Sequence, residues 1–246
     1  MKRFFREELS FELAKTLSVA KDKCLCCGAD VFDEIAICGE CEKEFVFNNE
    51  KTCQRCGCKI LGEADFCGVC GTTQRSFDRG FSVFVYQKEI VKIIHEIKFR
   101  NQSQHCFPLA KFLVEKAMNE HIDFDLVTYV PMTQTAKNNR GFNQAELLAQ
   151  SFCNILKIPF EKDILLKTRD TKRQETLAFA QRQKNVENCF KVAKKELVKG
   201  KNVLLIDDVR TTGATSNECS IALKKAKCNK VYVLTVASVV SQLDFE

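Results

Sequence analysis

The sequence predicts an α/β protein in which a mostly parallel sheet flanked by helices is preceded by a small cysteine-rich region. Three observations predict it. Beyond Phe77, short apolar runs alternate with helix-period stripes, the pattern of parallel strands covered on both faces. Ten of the 15 cysteines crowd between Cys24 and Cys70, in two copies of one spacing. Near the C-terminus four aliphatic residues run into two aspartates and a turn of small residues. That is how a buried strand hands over to a helix start at a ligand site.

The chain has 246 residues, 45% of them hydrophobic and 28% charged, with only three prolines. This composition suits one or two packed domains and argues against a long disordered segment. No apolar run approaches the roughly 20 residues a membrane helix needs. The nearest, Val231 to Val240, is broken by Thr235 and Ser238. The N-terminus places Glu7 and Glu8 where a signal peptide is apolar. The expectation is a cytoplasmic protein with neither export signal nor membrane span. In such a compartment paired cysteines hold metal more readily than disulfides.

Residues 1–23 form an amphipathic helix pattern, with Leu9, Leu13 and Leu17 at four-residue spacing. Residues 24–76 are a double ribbon. Cys24, Cys27, Cys38 and Cys41 recur 29 positions later as Cys53, Cys56, Cys67 and Cys70. Each unit is C-x2-C, ten residues, C-x2-C, which supplies the four thiolates that a tetrahedral structural Zn2+ prefers. Pairing within each repeat and an interleaved cross-brace both satisfy the spacing. Four thiolates leave no open coordination position, so a catalytic zinc is not expected. Cys26 and Cys58 are extra, as substitute ligands or free thiols.

Residues 77–246 make the α/β domain. Phe81–Tyr86 reads as a strand, and Ile90, Ile93, Ile94 and Ile97 give a helical stripe. Leu109, Phe112, Leu113 and Ala117 give another, and Leu126–Val130 a short buried strand. Ala145, Leu148, Ala149, Phe152 and Ile155 form the next helix face. Lys201–Asp207 is a strand, Ala214 to Lys227 a helix, and Val231–Ala237 a last strand. Residues 168–188 have no clean period and read as a long mobile loop with some helix, of the kind that is usually functional. The formal charge is +6, divided as −2 over residues 1–76 and +8 over residues 77–246. Two zinc-bound ribbons take the first segment to about −6. The basic character therefore belongs to the second segment, where it fits either a polyanionic partner or a well-solvated surface.

The run Val203-Leu-Leu-Ile-Asp207-Asp208-Val209-Arg210-Thr211-Thr212-Gly213-Ala214-Thr215 carries the most specific chemistry. Small residues let backbone N–H groups approach a phosphate at the positive end of a helix dipole. Carboxylates beside such a cradle repel a bare anion. They fit when they grip sugar hydroxyls or a Mg2+ that travels with the ligand. The combination points to a ribose 5-phosphate.

This run resembles the phosphoribosyl diphosphate (PRPP) signature of type I phosphoribosyltransferases. Val130-Pro131 followed by Arg140-Gly141-Phe142-Asn143-Gln144 resembles a block of the ComF family, as do Ile97-Lys98-Phe99-Arg100 and the spaced residues Arg169, Gln174, Leu177, Arg182, Asn185 and Phe190. With the paired ribbons ahead of it, the resemblance covers roughly residues 24–240. It implies a type I phosphoribosyltransferase-like sheet and a link to natural uptake of single-stranded DNA. It further implies that Asp207 and Asp208 hold the ribose hydroxyls and that Thr211, Thr212, Gly213, Ala214 and Thr215 wrap the 5-phosphate. Pro131, Met132, Thr133 and the residues up to Thr135, with Arg140, become candidates for the diphosphate. Lys98 and Arg182 become candidate cations for diphosphate or nucleic-acid phosphates, and residues 168–188 the segment that closes over the site. No base-binding hood is recognisable.

Three functions fit these residues. A transferase would use Mg2+–PRPP, positioning the donor and stabilising the departing diphosphate without a dedicated nucleophile. A nucleic-acid-handling factor would use the cradle for binding or regulation, with stacking aromatics and a basic groove. A zinc-scaffolded adaptor would dock DNA-uptake or recombination proteins. Lys98 also reads as a snorkelling lysine, and Arg140 and Arg182 as surface ion-pair residues. His95, His105 and His121 lack partners in sequence for catalysis. Cys106, Cys153, Cys189, Cys219 and Cys228 read as small core residues.

Overall fold

The computed structural model describes residues 22–31, 37–171 and 179–240. The helix expected over residues 1–23 lies outside this set except for Asp22 and Lys23, and the middle of the 168–188 segment lies outside it too. Compactness divides the chain into residues 1–44 and residues 45–246. The repeat spacing instead drew its boundary at residue 76, so the two ribbons share a motif but not a compact unit.

In the smaller unit, β1 (Asp22–Lys23) pairs antiparallel with β2 (Asp30–Val31), and α1 (Gly39–Glu42) follows. The Cys24 knuckle closes through Cys24 N–H to Ala29 O at 2.8 Å and Gly28 N–H to Cys24 O at 2.9 Å. The second ribbon repeats these bonds 29 residues on. There Cys53 N–H meets Cys58 O and Gly57 N–H meets Cys53 O, both at 2.8 Å. Its short helix α2 (Gly68–Thr72) starts with Gly71 N–H to Cys67 O, as α1 starts with Glu42 N–H to Cys38 O, both at 2.9 Å. One spacing therefore gives one local backbone.

The larger unit continues with β3 (Arg79–Val85), α3 (Glu89–Phe99), a single 3₁₀ turn at Ser103–His105 and α4 (Cys106–Asn119). Then come β4 (Leu126–Tyr129), α5 (Gln134–Arg140), α6 (Gln144–Ile155) and β5 (Leu165–Lys167). α7 (Phe179–Val186), β6 (Phe190–Val192), α8 (Lys195–Val198), β7 (Asn202–Arg210), α9 (Ala214–Lys225) and β8 (Lys230–Ser238) complete it. β3, β8, β7 and β4 lie side by side in that order, all parallel.

The predicted stripes are the buried ones. Ile90, Ile93, Ile94 and Ile97 of α3 and Leu109, Phe112, Leu113 and Ala117 of α4 are all buried. Val203, Leu204, Leu205 and Ile206 are fully buried, as a strand covered on both faces must be. Helices α4 and α6 pack on each other and on the sheet, while α9 packs on β7, β8 and β6. Phe84 sits at the centre of an aromatic cluster, its ring 4.9–5.3 Å from those of Phe45, Phe47 and Phe112. All five cysteines read as core residues are buried, and desolvation pushes the Cys106 and Cys153 thiols up to about 12.

The strands β5 and β6 and the helix α5 were not expected. β5 and β6 pair antiparallel, outside the main sheet, and bracket the 168–188 segment. α5 has no apolar stripe at all. It forms because the Thr133 side chain accepts Ala136 N–H at its start, and because Gly141, at φ +89, ends it.

Candidate functional site

β7 runs further than expected, through both aspartates to Arg210. β8 accompanies it to the end, Arg210 lying opposite Ser238. β4 stops at Tyr129, and Val130 N–H takes the Ile206 carbonyl at 3.0 Å. Beyond that point β7 has lost a neighbour. The Asp207 carboxylate accepts Asp208 N–H at 2.9 Å, and the Asp208 carboxylate accepts Val209 N–H at 2.7 Å.

Consecutive strand residues point to opposite faces. Asp208 turns toward α3 and forms an ion pair with Lys98 Nζ at 2.9 Å, both side chains about 15% exposed. Asp207 turns toward α9, where its charge bears on Cys219. Desolvation, reinforced by Asp208, holds the Asp207 carboxyl well above the ordinary carboxylate range, although Lys98 pulls it down. Burial works against the Lys98 charge, but Asp208 outweighs it and keeps its pKa above that of an ordinary lysine. The junction thus holds one acid paired with a lysine and one whose carboxyl burial and its neighbour push above the ordinary range.

Past Arg210 the chain turns through Thr211, Thr212 and Gly213 into α9. Gly213 caps the helix at φ +73, a conformation that favours glycine. Thr212 Oγ1 accepts Ala214 N–H at 3.3 Å. A small concavity of about 20 Å³ is lined by Asp207, Val209, Arg210 and the run Thr211–Ser216. The sequence-selected residues are therefore brought together here. Two contacts were not foreseen. Arg75, just past the second ribbon, donates from Nη2 to the Thr212 carbonyl at 2.8 Å, and Ser76 N–H reaches Asn217 Oδ1 at 2.8 Å.

The diphosphate-side candidates disperse. Pro131 and Met132 line a cavity of about 310 Å³ with Tyr129, Lys137, Asp163 and Lys191. Thr133 is buried and donates to Asp170, tying the 131–135 turn to the segment after β5. Arg140 bonds Gln144 Oε1 at 3.1 Å and lies 6.0 Å over the Phe99 ring. The blocks around residues 97–100 and 140–144, far apart in sequence, are thereby joined. Asn143 explains part of the second block: it caps α6 through Ala145 N–H and donates to Val130 O at 3.0 Å. Arg182 lies on α7.

The cysteine sites group within each repeat. The four ligand atoms of Cys24, Cys27, Cys38 and Cys41 lie within 4.8 Å of one another, as do those of Cys53, Cys56, Cys67 and Cys70. A tetrahedron with metal–sulfur bonds of ~2.3 Å has sulfur–sulfur edges of about 3.8 Å. The Cys27–Cys38 and Cys56–Cys67 sulfur pairs both stand at 3.7 Å. The residues present fit a four-thiolate metal site twice over. Burial opposes ionisation of Cys24, but N–H donors from Cys27, Cys38 and Cys26 outweigh it and bring the thiol down to about 6. Neighbouring thiols lower Cys53 further. Cys58 is a fifth buried thiol at the second site, 3.6 Å from Cys56.

The chain is 30% identical over 207 residues to "Competence protein F" of Haemophilus influenzae, covering 82% of this chain and 90% of that protein. It is 29% identical over 189 residues to "DNA utilization protein YhgH" of Escherichia coli, 74% of this chain and 81% of the other. To "Competence protein ComFC" of Streptococcus pneumoniae it is 26% identical over 227 residues, 85% and 96%. No family model matches. Among solved structures, glutamine PRPP amidotransferase from B. subtilis aligns with a TM-score of 0.38 and 24% identity, over 54% of this chain and 26% of that one. Adenine phosphoribosyltransferase from Leishmania donovani aligns at 0.29 and 14%, over 57% and 68%. The chain spans about a quarter of the former. Among the described residues no helix is long and apolar enough to cross a membrane.

Proposed function

Since the chain belongs to the competence protein F family, we propose that it acts in natural competence by binding PRPP with Mg2+ at the β7–α9 junction and handling single-stranded DNA. The observation that supports this reading is the junction itself. Two carboxylates stand at the tip of a central parallel strand, next to a concavity walled by Thr211–Ser216. Backbone N–H groups at the start of α9 hold the 5-phosphate, and Thr211 and Thr215 add hydroxyl donors. Mg2+, when bound with the ligand, offsets diphosphate charge, and Asp207 and Asp208 are the hard oxygen donors on this chain that suit it or the ribose hydroxyls. Lys98 is already beside Asp208 and is the cation placed to exchange that carboxylate for the ligand's phosphates. Zn2+ at the two cysteine sites is structural.

For the nucleic acid, a second observation favours binding over turnover alone. The three exposed phenylalanines among the described residues each carry a cation over the ring: Phe66 with Arg55 at 5.1 Å, Phe99 with Arg140 at 6.0 Å and Phe107 with Lys111 at 5.6 Å. Exposed rings beside cations are what stacks and neutralises a single strand.

Calorimetric titration of Mg2+–PRPP into the full chain tests the reading. Saturable binding is expected, weakened at least about tenfold by Asp208→Asn. Unchanged affinity in the double variant Asp207→Asn/Asp208→Asn would remove the ribose-binding assignment. Diphosphate release measured with and without a single-stranded oligonucleotide then separates a transferase from a binding factor.

A further inference from the structure

The second ribbon makes contacts that holding a metal does not require. Its knuckle is pressed flat on β3: a Cβ added to Gly57 would stand 2.3 Å from Gly80 O, and one added to Gly80 would stand 2.7 Å from Cys56 O. Gly80 N–H donates to Arg55 O at 2.7 Å, and Asn48 Nδ2 to Gly57 O at 2.6 Å. Its four cysteines are no more than 2% exposed and share one hydrophobic cluster with α9 and β7. Four thiolates around a divalent ion carry a net charge of about −2. Buried charge of that size is costly without a compensating cation.

The cation is present. Arg210 is 5% exposed, and its Nε and Nη2 have no hydrogen-bond partner among the described residues. Burial works against its charge, and the thiols of Cys56, Cys58 and Cys67 lie close enough to outweigh that cost. The nearby carboxylate of Asp208 is already taken by Lys98. A buried guanidinium with two unsatisfied nitrogens and an uncompensated thiolate centre are each unfavourable, and each offsets the other. Arg210 is also the last residue of β7 before the loop. At Gly213, a Cβ would lie 3.8–3.9 Å from Arg210 Cγ and Cδ and from Arg75 Cζ, while Arg75 holds the Thr212 carbonyl. Two arginines thus bind the loop to the ribbon.

We propose that Arg210 is the counter-charge of the metal-loaded Cys53/Cys56/Cys67/Cys70 centre, and that through Arg210 and Arg75 the occupancy of this centre sets the shape of the 211–213 loop. Arg210 is a positioning residue. What the loop binds rests on the reading above; the coupling itself does not. By linkage, a ligand on the loop strengthens metal binding at this centre by the factor by which the metal strengthens ligand binding.

The test uses the full zinc-loaded chain as wild type, Arg210→Met and Arg210→Lys. Pulsed alkylation under a chelator, read by mass spectrometry, reports which cysteines have lost metal. Hydrogen exchange reports residues 210–217, and titration with Mg2+–PRPP reports the ligand. In Arg210→Met the second set is expected to be alkylated about tenfold faster or more, with the first set unchanged. Exchange in the loop rises, and ligand affinity falls by a similar factor. Arg210→Lys recovers most of the metal retention but less of the loop protection, because an ammonium lacks the planar fork. Wild-type metal retention in Arg210→Met overturns the proposal, and so does unchanged loop exchange when the second site of the wild type is stripped. Should Arg210→Met not fold, the lysine variant and the stripped wild type make the same two comparisons. A wild type that fails to bind PRPP while both other readouts respond would overturn the ligand assignment and leave the coupling supported.

Discussion

The two cysteine units share a spacing, a period and a backbone hydrogen-bond pattern, yet they are different kinds of object. In the first, Cys27 is exposed, Cys38 and Cys41 are half-buried, and a Cβ on Gly28 would meet nothing within 4 Å. In the second, all four ligands and Cys58 are buried, and Gly57, the counterpart of Gly28, is jammed against Gly80. The first closes a small unit of its own; the second is part of the core of the larger one. A motif that specifies a metal site does not specify whether that site is a detachable module or a structural partner of a distant loop. That is decided by what its outer face is packed on.

This contrast can be broken most directly at the ligands. Cys56→Ser is expected to cost the larger unit about 4 kcal/mol or more, since it removes a buried metal ligand from the core. Cys27→Ser should leave the melting of the larger unit within about 1 kcal/mol of wild type while lowering zinc content by one ion per chain. Thermal denaturation with metal analysis checks both, and equal effects would end the distinction.

The equivalent glycines sharpen it. Both sit at positive φ, +73 at Gly28 and +68 at Gly57. Gly28→Ala meets only that backbone strain, about 1 kcal/mol. Gly57→Ala meets it and a clash with backbone, for about 2–4 kcal/mol in all. Denaturant midpoints of the two single variants give the difference.

The last comparison lies in the larger unit alone. Asp207 is held well above its ordinary value of 3.8 by burial and by Asp208. The folded chain therefore keeps this proton where the unfolded chain has lost it. Stability falls as pH rises from about 3.8 toward the raised folded value, by at most ~1.4 kcal/mol per pH unit. Asp207→Asn should flatten that decline and melt higher at neutral pH, with little difference at acid pH. A melting series across pH in both forms decides it, and parallel curves would show that Asp207 is not the strained group.

Much of the architecture was readable because burial leaves a periodic trace. The stripes at Ile90–Ile97 and Leu109–Ala117 and the run Val203–Ile206 are long enough to carry a period, and each is buried in the structure. The eight clustered cysteines were readable because metal ligation needs residue types that nothing else replaces. β5 and β6, at three residues each, are too short to show alternation. α5 is polar throughout and is held by its ends. The continuation of β7 through Asp207 and Asp208 was hidden by their charge, since the pairing that sustains it comes from β8, encoded some 30 residues later. Arg210 stood in the signature run as a charge at the end of an apolar strand, which was the available signal. Arg75 left none.

By itself, then, the chain determined its strands, helix faces, ligand sets and the chemistry gathered between Asp207 and Thr215, because each depends on neighbours within a few turns or on a fixed period. Only the tertiary structure decided that one ribbon stands in its own compact unit while its copy is built into the core, that Lys98 occupies Asp208, and that Arg75 and Arg210 meet at the turn from Thr211 to Gly213. Those arrangements depend on burial of charge between segments more than a hundred residues apart, and local sequence carries no record of which buried charges will meet.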